Sequence, residues 1–226
     1  MKKLAVIILT VVLVLALPAT ALAAQVTAVG AGQVRVTPDV ATLNVGVSES
    51  NTDVQKAQRS VNRRIEAVRK ALMSKGVARE DIAVSSLYLY SNYDYSAGVE
   101  KITGYNVSHQ LAITVRELDK LGALIDAALG AGANQLGGVS FELKDNAAAY
   151  ARALALATEN ATQHAKAMAE AAGLTLGALT ELTESPNGYA PLYAEGERDG
   201  ASPASTSVDV GDLIISTSVT AVYEAN

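Results

Sequence analysis

This 226-residue chain contains no cysteine and no tryptophan, one phenylalanine, two histidines and five prolines. Without cysteine there is no thiol nucleophile, no redox pair and no zinc-finger spacing. A chain of this length can fold on its core without disulfides. His109 and His164 lie far apart with no H-E-x-x-H run, which leaves zinc short of its three or four ligands, so each is read as a structural or surface residue. No G-x-S-x-G nucleophile elbow occurs. In GAGQVR (30–35), Arg35 stands where a dinucleotide fingerprint needs glycine, and GAGANQLGG (130–138) follows a helical pattern instead of opening one. Both stretches are read as turns, not phosphate cradles. Asp145, Glu159, Glu170 and Glu181 are scattered carboxylates with nothing to mark an acid-base pair. The expectation is a non-enzyme with no catalytic, cofactor-binding or metal-binding residue. A formal charge of -5 gives no support for nucleic-acid binding.

What is present begins with MKKLAVIILTVVLVLALPATALAA: two lysines, an apolar run, Pro18 as a breaker and the small-residue site Ala21-Leu22-Ala23. That order predicts a secretory signal peptide over 1–23, cleavage before Ala24 and an extracytoplasmic protein: periplasmic, surface-exposed or secreted. Losing Lys2 and Lys3 takes the charge from -5 to -7. An uncleaved anchor is the alternative, since the apolar run approaches the roughly 18 residues that suggest a span. No later stretch is apolar enough for one. Membrane contact is expected only through this segment or by surface association.

Residues 25–50 alternate at Ala41, Leu43, Val45 and Val47, which is strand spacing, with Pro38-Asp39 dividing two strands and Gly30 and Gly32 permitting a turn or bulge. In 51–76 the period changes: Val54, Ala57, Val61, Ile65, Val68 and Leu72 line one helix face, capped by Asn51 or Thr52 and ended by Gly76. Eight of the 18 Lys and Arg fall between Lys56 and Arg79 and are read as the wet face of that helix. Strand spacing returns from Asp81 and again in 104–116, with AGVEKIT as the hairpin loop, then a helix over 117–132 and a strand over 137–145. Strand, helix, strand, strand, helix, strand is the order of a split-βαβ unit, so an α+β fold with helices packed on a mixed or antiparallel sheet is expected. A long helix follows over 147–172, where 13 of 26 residues are alanine and small side chains admit a close neighbour. GALTELTE and SVDVGDLIISTSVTAVYEA supply C-terminal strands, and the Pro, Gly, Ser and Ala-rich 185–206 is expected to be a mobile loop within one domain spanning 24–226.

LYLYSNYDYS (87–96) concentrates four of nine tyrosines: Tyr88, Tyr90, Tyr93 and Tyr95. Tyr88 and Tyr90 share one strand face and Leu87 and Leu89 the other, while Tyr93 and Tyr95 follow the leucine parity unless a bulge near Ser91-Asn92 resets it. Four exposed rings would rival the largest apolar patch of a typical monomer, so most are expected to be covered by a helix, by the 185–206 loop with Tyr189 and Tyr193, or by another subunit. A stacking platform for a ligand is the competing reading.

Taken in order, VGAGQVRVTPDVATLNVGV, TDVQKAQRSVNRRIEAV, LMSKGVAREDIAVSSLYLYSNYDY, the segment from Gly104 to Asp145, the alanine-rich helix and VGDLIISTSVTAVYE resemble the SIMPL domain (DUF541) of exported bacterial proteins, which include periplasmic immunogenic proteins. Pro38-Asp39, Asp81-Ile82, Tyr93, Gly104-Tyr105, Gly132-Ala133-Asn134 and Phe141 match the family pattern, and Val210 departs from it where a proline is expected. The resemblance implies an α+β extracytoplasmic domain without an established catalytic mechanism, self-assembling in some relatives and linked in others to oxidative-stress tolerance. The leading expectation is a non-enzymatic envelope protein forming a homo-oligomer. The alternative is a monomeric binding module built on strand 87–96 and loop 185–206.

Overall fold

The computed structural model describes residues 24–95, 100–185, 192–193, 206 and 208–226. The signal segment expected over 1–23 lies outside them, as does most of the expected loop 185–206. The chain forms two compact units, one of Gln33–Ala153 with Tyr189–Ser216, the other of Met1–Gly32, Leu154–Gly188 and Thr217–Asn226.

The first strand, β1 (Ala24–Val36), is followed after Pro38 by β2 (Val40–Asn51), α1 (Val54–Ser74), β3 (Ile82–Asp94), β4 (Lys101–Val115), α2 (Leu121–Gly130) and β5 (Gln135–Glu142). The elements β2 to β5 make one sheet in the order β3-β4-β2-β5, with each neighbouring pair antiparallel. This is the split-βαβ order expected: α1 joins β2 to β3, and β4 inserts between them. The core of this unit is one face of the sheet under the helices. Leu43, Val45 and Val47 of β2 and Leu111 and Ile113 of β4 meet Ala57, Val61, Ile65, Val68 and Leu72 of α1 and Leu121, Leu124 and Ile125 of α2. The eight basic residues of 56–79 are mostly exposed, as the helical pattern requires.

Two details differ from expectation. The helix cap is Asp53, whose carboxylate accepts from the backbone N–H of Gln55 and Lys56, while Asn51 Oδ1 accepts from Asp53 N–H. Residues 101–103, expected in the hairpin loop, belong to β4: Lys101 pairs with Asp94 and Ile102 with Tyr93.

The second unit contains α3 (Ala147–Ala171) from Leu154 onward, where Ala157, Ala161, Ala165 and Ala169 form a fully buried stripe at four-residue spacing. The sheet order is β1-β8-β6, with β6 at Leu176–Glu184 and β8 at Leu213–Ala225. Gly30 and Gly32 are not in a turn; they continue the inward row of β1 after Val26 and Ala28. A Cβ at Gly30 would overlap the Ala157 carbonyl and the Ala161 backbone, so glycine is there to let strand and helix backbones meet. In the first unit, residues 192 and 193 form a two-residue strand, β7 (Leu192–Tyr193), paired with Ile214 and Leu213 of β8.

Candidate functional site

All four tyrosines of 87–96 lie on β3 or just past its end, and β3 is the outer strand of its sheet. Because α1 packs on the central strands β2 and β4, most side chains of β3 beyond Ile82 are left exposed. Leu87 stands opposite His109 and Leu89 opposite Val107, on the helix side; Tyr88 stands opposite Ser108 and Tyr90 opposite Asn106, on the open side. Leu87, Tyr88, Leu89 and Tyr90 are each more than half exposed, and Tyr93 and Tyr95 are 45% and 66% exposed. The cover expected for most of these rings is therefore not supplied by the described chain. Tyr189 lies outside the described residues, and of Tyr193 only the backbone is described.

The register shifts between Asn92 and Tyr93, but the extra residue is Thr103 of β4, and β3 itself carries no inserted residue near Ser91-Asn92 to reset the parity of its tyrosines. Past it, the rings of Tyr93 and Tyr95 lie 6.1 Å apart at 38°, a tilted aromatic pair. Sequence spacing missed Val84 and Ile102, both about half exposed on the same ribbon. It also missed the neutral surface beside the rings. On the open side, Ser48 Oγ donates to Asn106 Oδ1 at 3.1 Å, Asn106 Nδ2 donates to Ser50 Oγ at 2.9 Å, and Ser108 Oγ donates to Gln135 Oε1 at 2.8 Å. The available signal was the parity of β4, which places Asn106, Ser108 and Gln110 on one face.

The residues that carry the resemblance hold corners of this unit. Gly132 takes φ +110°, and its carbonyl accepts from Arg64 Nε and Nη2 at 3.0 and 2.6 Å. Asn134 uses its amide like an extra strand residue, accepting from Ser48 N–H and donating to Ser48 C=O, both at 2.8 Å. Asp39 accepts from Lys144 N–H at 2.7 Å, and Asp81 takes a two-pronged bond from Arg116. Phe141 is buried.

A cleft of about 390 Å³ opens between the end of α1 and the end of β4, lined by Lys75, Glu80, Asp81, Arg116, Glu117 and Lys120 among others. Four of these charges are paired, Arg116 with Asp81 and Lys120 with Glu117 at 2.7 Å. Asp145 accepts from Ala147 N–H at the start of α3, Glu159 accepts from Gln163, Glu170 faces Lys166 at 3.9 Å, and Glu181 accepts from Thr183. His164 Nδ1 lies 2.9 Å from Val29 C=O. His109 has both ring nitrogens buried without a partner among the described residues, and burial first, then the positive charge of Arg69, lowers its pKa from the ordinary value. Among the described residues no three metal-capable side chains cluster, and no helix is long and apolar enough to cross a membrane.

The chain is 30% identical over 162 residues to the uncharacterized protein YggE of Escherichia coli (strain K12), covering 72% of this chain and 66% of that protein. It is 32% identical over 149 residues to YggE of Edwardsiella ictaluri, covering 66% and 62%. The chain thus spans just under two thirds of the length of these relatives. It is 29% identical over 211 residues to the 26 kDa periplasmic immunogenic protein of Brucella melitensis, covering 89% and 84%. Residues 26–223 match the model of the SIMPL family, described as a protein of unknown function (DUF541), and this chain belongs to that family.

Proposed function

We propose that this chain is an exported, non-enzymatic envelope protein that works as a self-associated scaffold and contributes to envelope maintenance, including under oxidative stress. The observation that carries the reading is the outer strand β3. Its leucines and tyrosines are exposed on both faces, while most large apolar residues in the rest of that unit are buried under two helices, Met73, Ile102, Leu129 and Leu136 being exposed as well. A soluble monomer rarely leaves such a ribbon uncovered. Export is supported by the charged, apolar and small-residue order of 1–23 and by the periplasmic name of the Brucella relative. A chain without a single thiol is insensitive to the oxidation that inactivates cysteine proteins, which suits a role under oxidants.

The test is the absolute mass of the exported protein by light scattering after size-exclusion chromatography. A discrete multiple of the protomer mass is expected, and a protomer mass at every concentration overturns the reading.

A second reading is favoured by one observation: the rings of Tyr88 and Tyr90 border the uncharged row of Ser48, Ser50, Asn106 and Ser108. Aromatic faces beside amides and hydroxyls suit an uncharged glycan. In that case Tyr88→Ala with Tyr90→Ala abolishes glycan binding and leaves the melting temperature nearly unchanged.

A further inference from the structure

The inference here rests on the self-association reading and assigns its surface. Sheet edges invite foreign strands, and proteins defend them with charges, prolines, bulges or short strands. The edge strand β5 is defended: it is eight residues long, takes φ +99° at Gly138 and meets a register shift at Asn44/Val45. The edge strand β6 carries Glu181 and Glu184. The edge strand β3 has none of these over its middle. From Ile82 to Tyr93 there is no Lys, Arg, Asp, Glu or Pro, and its two register shifts fall at Val84/Ser86 and Asn92/Tyr93. Ser86 to Asn92 is left as an uncharged ribbon, free of register shifts, whose outer edge meets no strand among the described residues. Such a segment is an aggregation hazard unless a partner strand covers it.

We infer that β3 pairs edge to edge with β3 of a second copy of this chain, antiparallel about a two-fold axis, and joins two four-stranded sheets into one of eight strands. The ribbon is self-complementary in the way this symmetry requires. A two-fold axis normal to the sheet keeps each face on its own side: with the axis at Leu89, Tyr88 meets Tyr90 and Leu89 meets Leu89 while Leu87 meets Ser91, and with the axis at Tyr88, Leu87 meets Leu89 and Tyr88 meets Tyr88 while Tyr90 meets Ser86. Opposed aromatic pairs and opposed aliphatic pairs both stabilise antiparallel strands. The absence of charge favours a like copy over a charged partner, because nothing on the ribbon repels its own image.

Because the chain has no cysteine, single-cysteine variants report one position each. The experiment takes Leu87→Cys, Tyr88→Cys, Leu89→Cys and Tyr90→Cys in the full exported protein, with Met168→Cys, exposed on α3, as the control. Mild oxidation is followed by denaturing electrophoresis. Residues nearest a two-fold axis come within disulfide reach, and each step along the strand moves the pair apart. The expected result is a covalent dimer that peaks at one of the four positions and is absent for Met168→Cys.

In parallel, Tyr88→Lys and Leu89→Lys are expected to halve the associated mass at equal protein concentration while circular dichroism and melting temperature hold. The cysteine series, which adds no charge, decides where a lysine variant fails to fold. If the parent protein associates but no position cross-links and both lysine variants keep its mass, this inference is overturned and self-association stands through another surface. If the parent is a protomer at all concentrations, both fail. A protomer whose lysine variants also melt far lower assigns the edge to another part of the same chain.

Discussion

At the scale of single residues, His109 makes the clearest acid-sensitive group. Both its ring nitrogens are buried without a hydrogen-bond partner among the described residues, and the charge of Arg69 disfavours protonation while Glu66 opposes it. Its folded pKa lies below the ordinary 6.5, so the folded chain binds a proton less readily than the unfolded one. The stability this implies is complete above 6.5 and is lost as pH falls from there through the folded pKa. His109→Leu is expected to flatten that part of the profile, read from denaturant midpoints of both proteins at about pH 7.5 and about pH 5. An equal acid loss in both proteins would assign the slope to carboxylates instead. Gly30 and Gly138 test two uses of glycine. Gly30→Val forces a side chain into the backbone of α3 and is expected to cost about 3 kcal/mol in urea titrations. Gly138→Ala enters open space at φ +99° and is expected to cost only about 1–2 kcal/mol. Equal costs would mean that the strand shifts away from the helix.

At the scale of elements, α1 was legible because a buried helix stripe is a local pattern: Ala57, Val61, Ile65, Val68 and Leu72 recur every three or four residues, and all five are buried. Ile65→Ala should therefore cost about 2–5 kcal/mol by calorimetry or denaturation, as for other buried aliphatics. The cap was less legible. Asn51, Thr52 and Asp53 are all competent, and the choice depends on the backbone, which is extended at Asp53 with φ -108° and ψ 112°. Asp53→Ala is expected to lose about 1 kcal/mol, whereas Thr52→Ala should lose little. The hairpin was placed correctly, but β4 begins at Lys101, because pairing with β3 continues past the last partner of β2 at Tyr105. Nothing in AGVEKIT itself announces that extension.

At the scale of the whole molecule, the assembly proposed through β3 has an uncharged seam inside an acidic chain. Salt screens exposed ion pairs over about 10 Å at 0.1 M and about 3 Å at 1 M, so an interface held by ion pairs would weaken steeply across that range. Association through β3 is expected to keep its dissociation constant or tighten slightly over the same titration, measured by sedimentation equilibrium. A tenfold weakening would place the contact on charged surface instead.

The sequence by itself determined the elements, their order and the chemistries excluded by its missing cysteines and sparse histidines, because composition and periodicity are properties of short windows. It also put Tyr88 and Tyr90 on one face and Leu87 and Leu89 on the other, since alternation along a strand is local. Only the tertiary structure decided that β3 is an edge, so that both of those faces are open. It alone showed that Gly30 serves a contact between backbones, and that Asn134 closes on Ser48. Each of these depends on which distant segments become neighbours, and a glycine or a tyrosine reads the same in sequence whether a helix, a strand or solvent stands beside it.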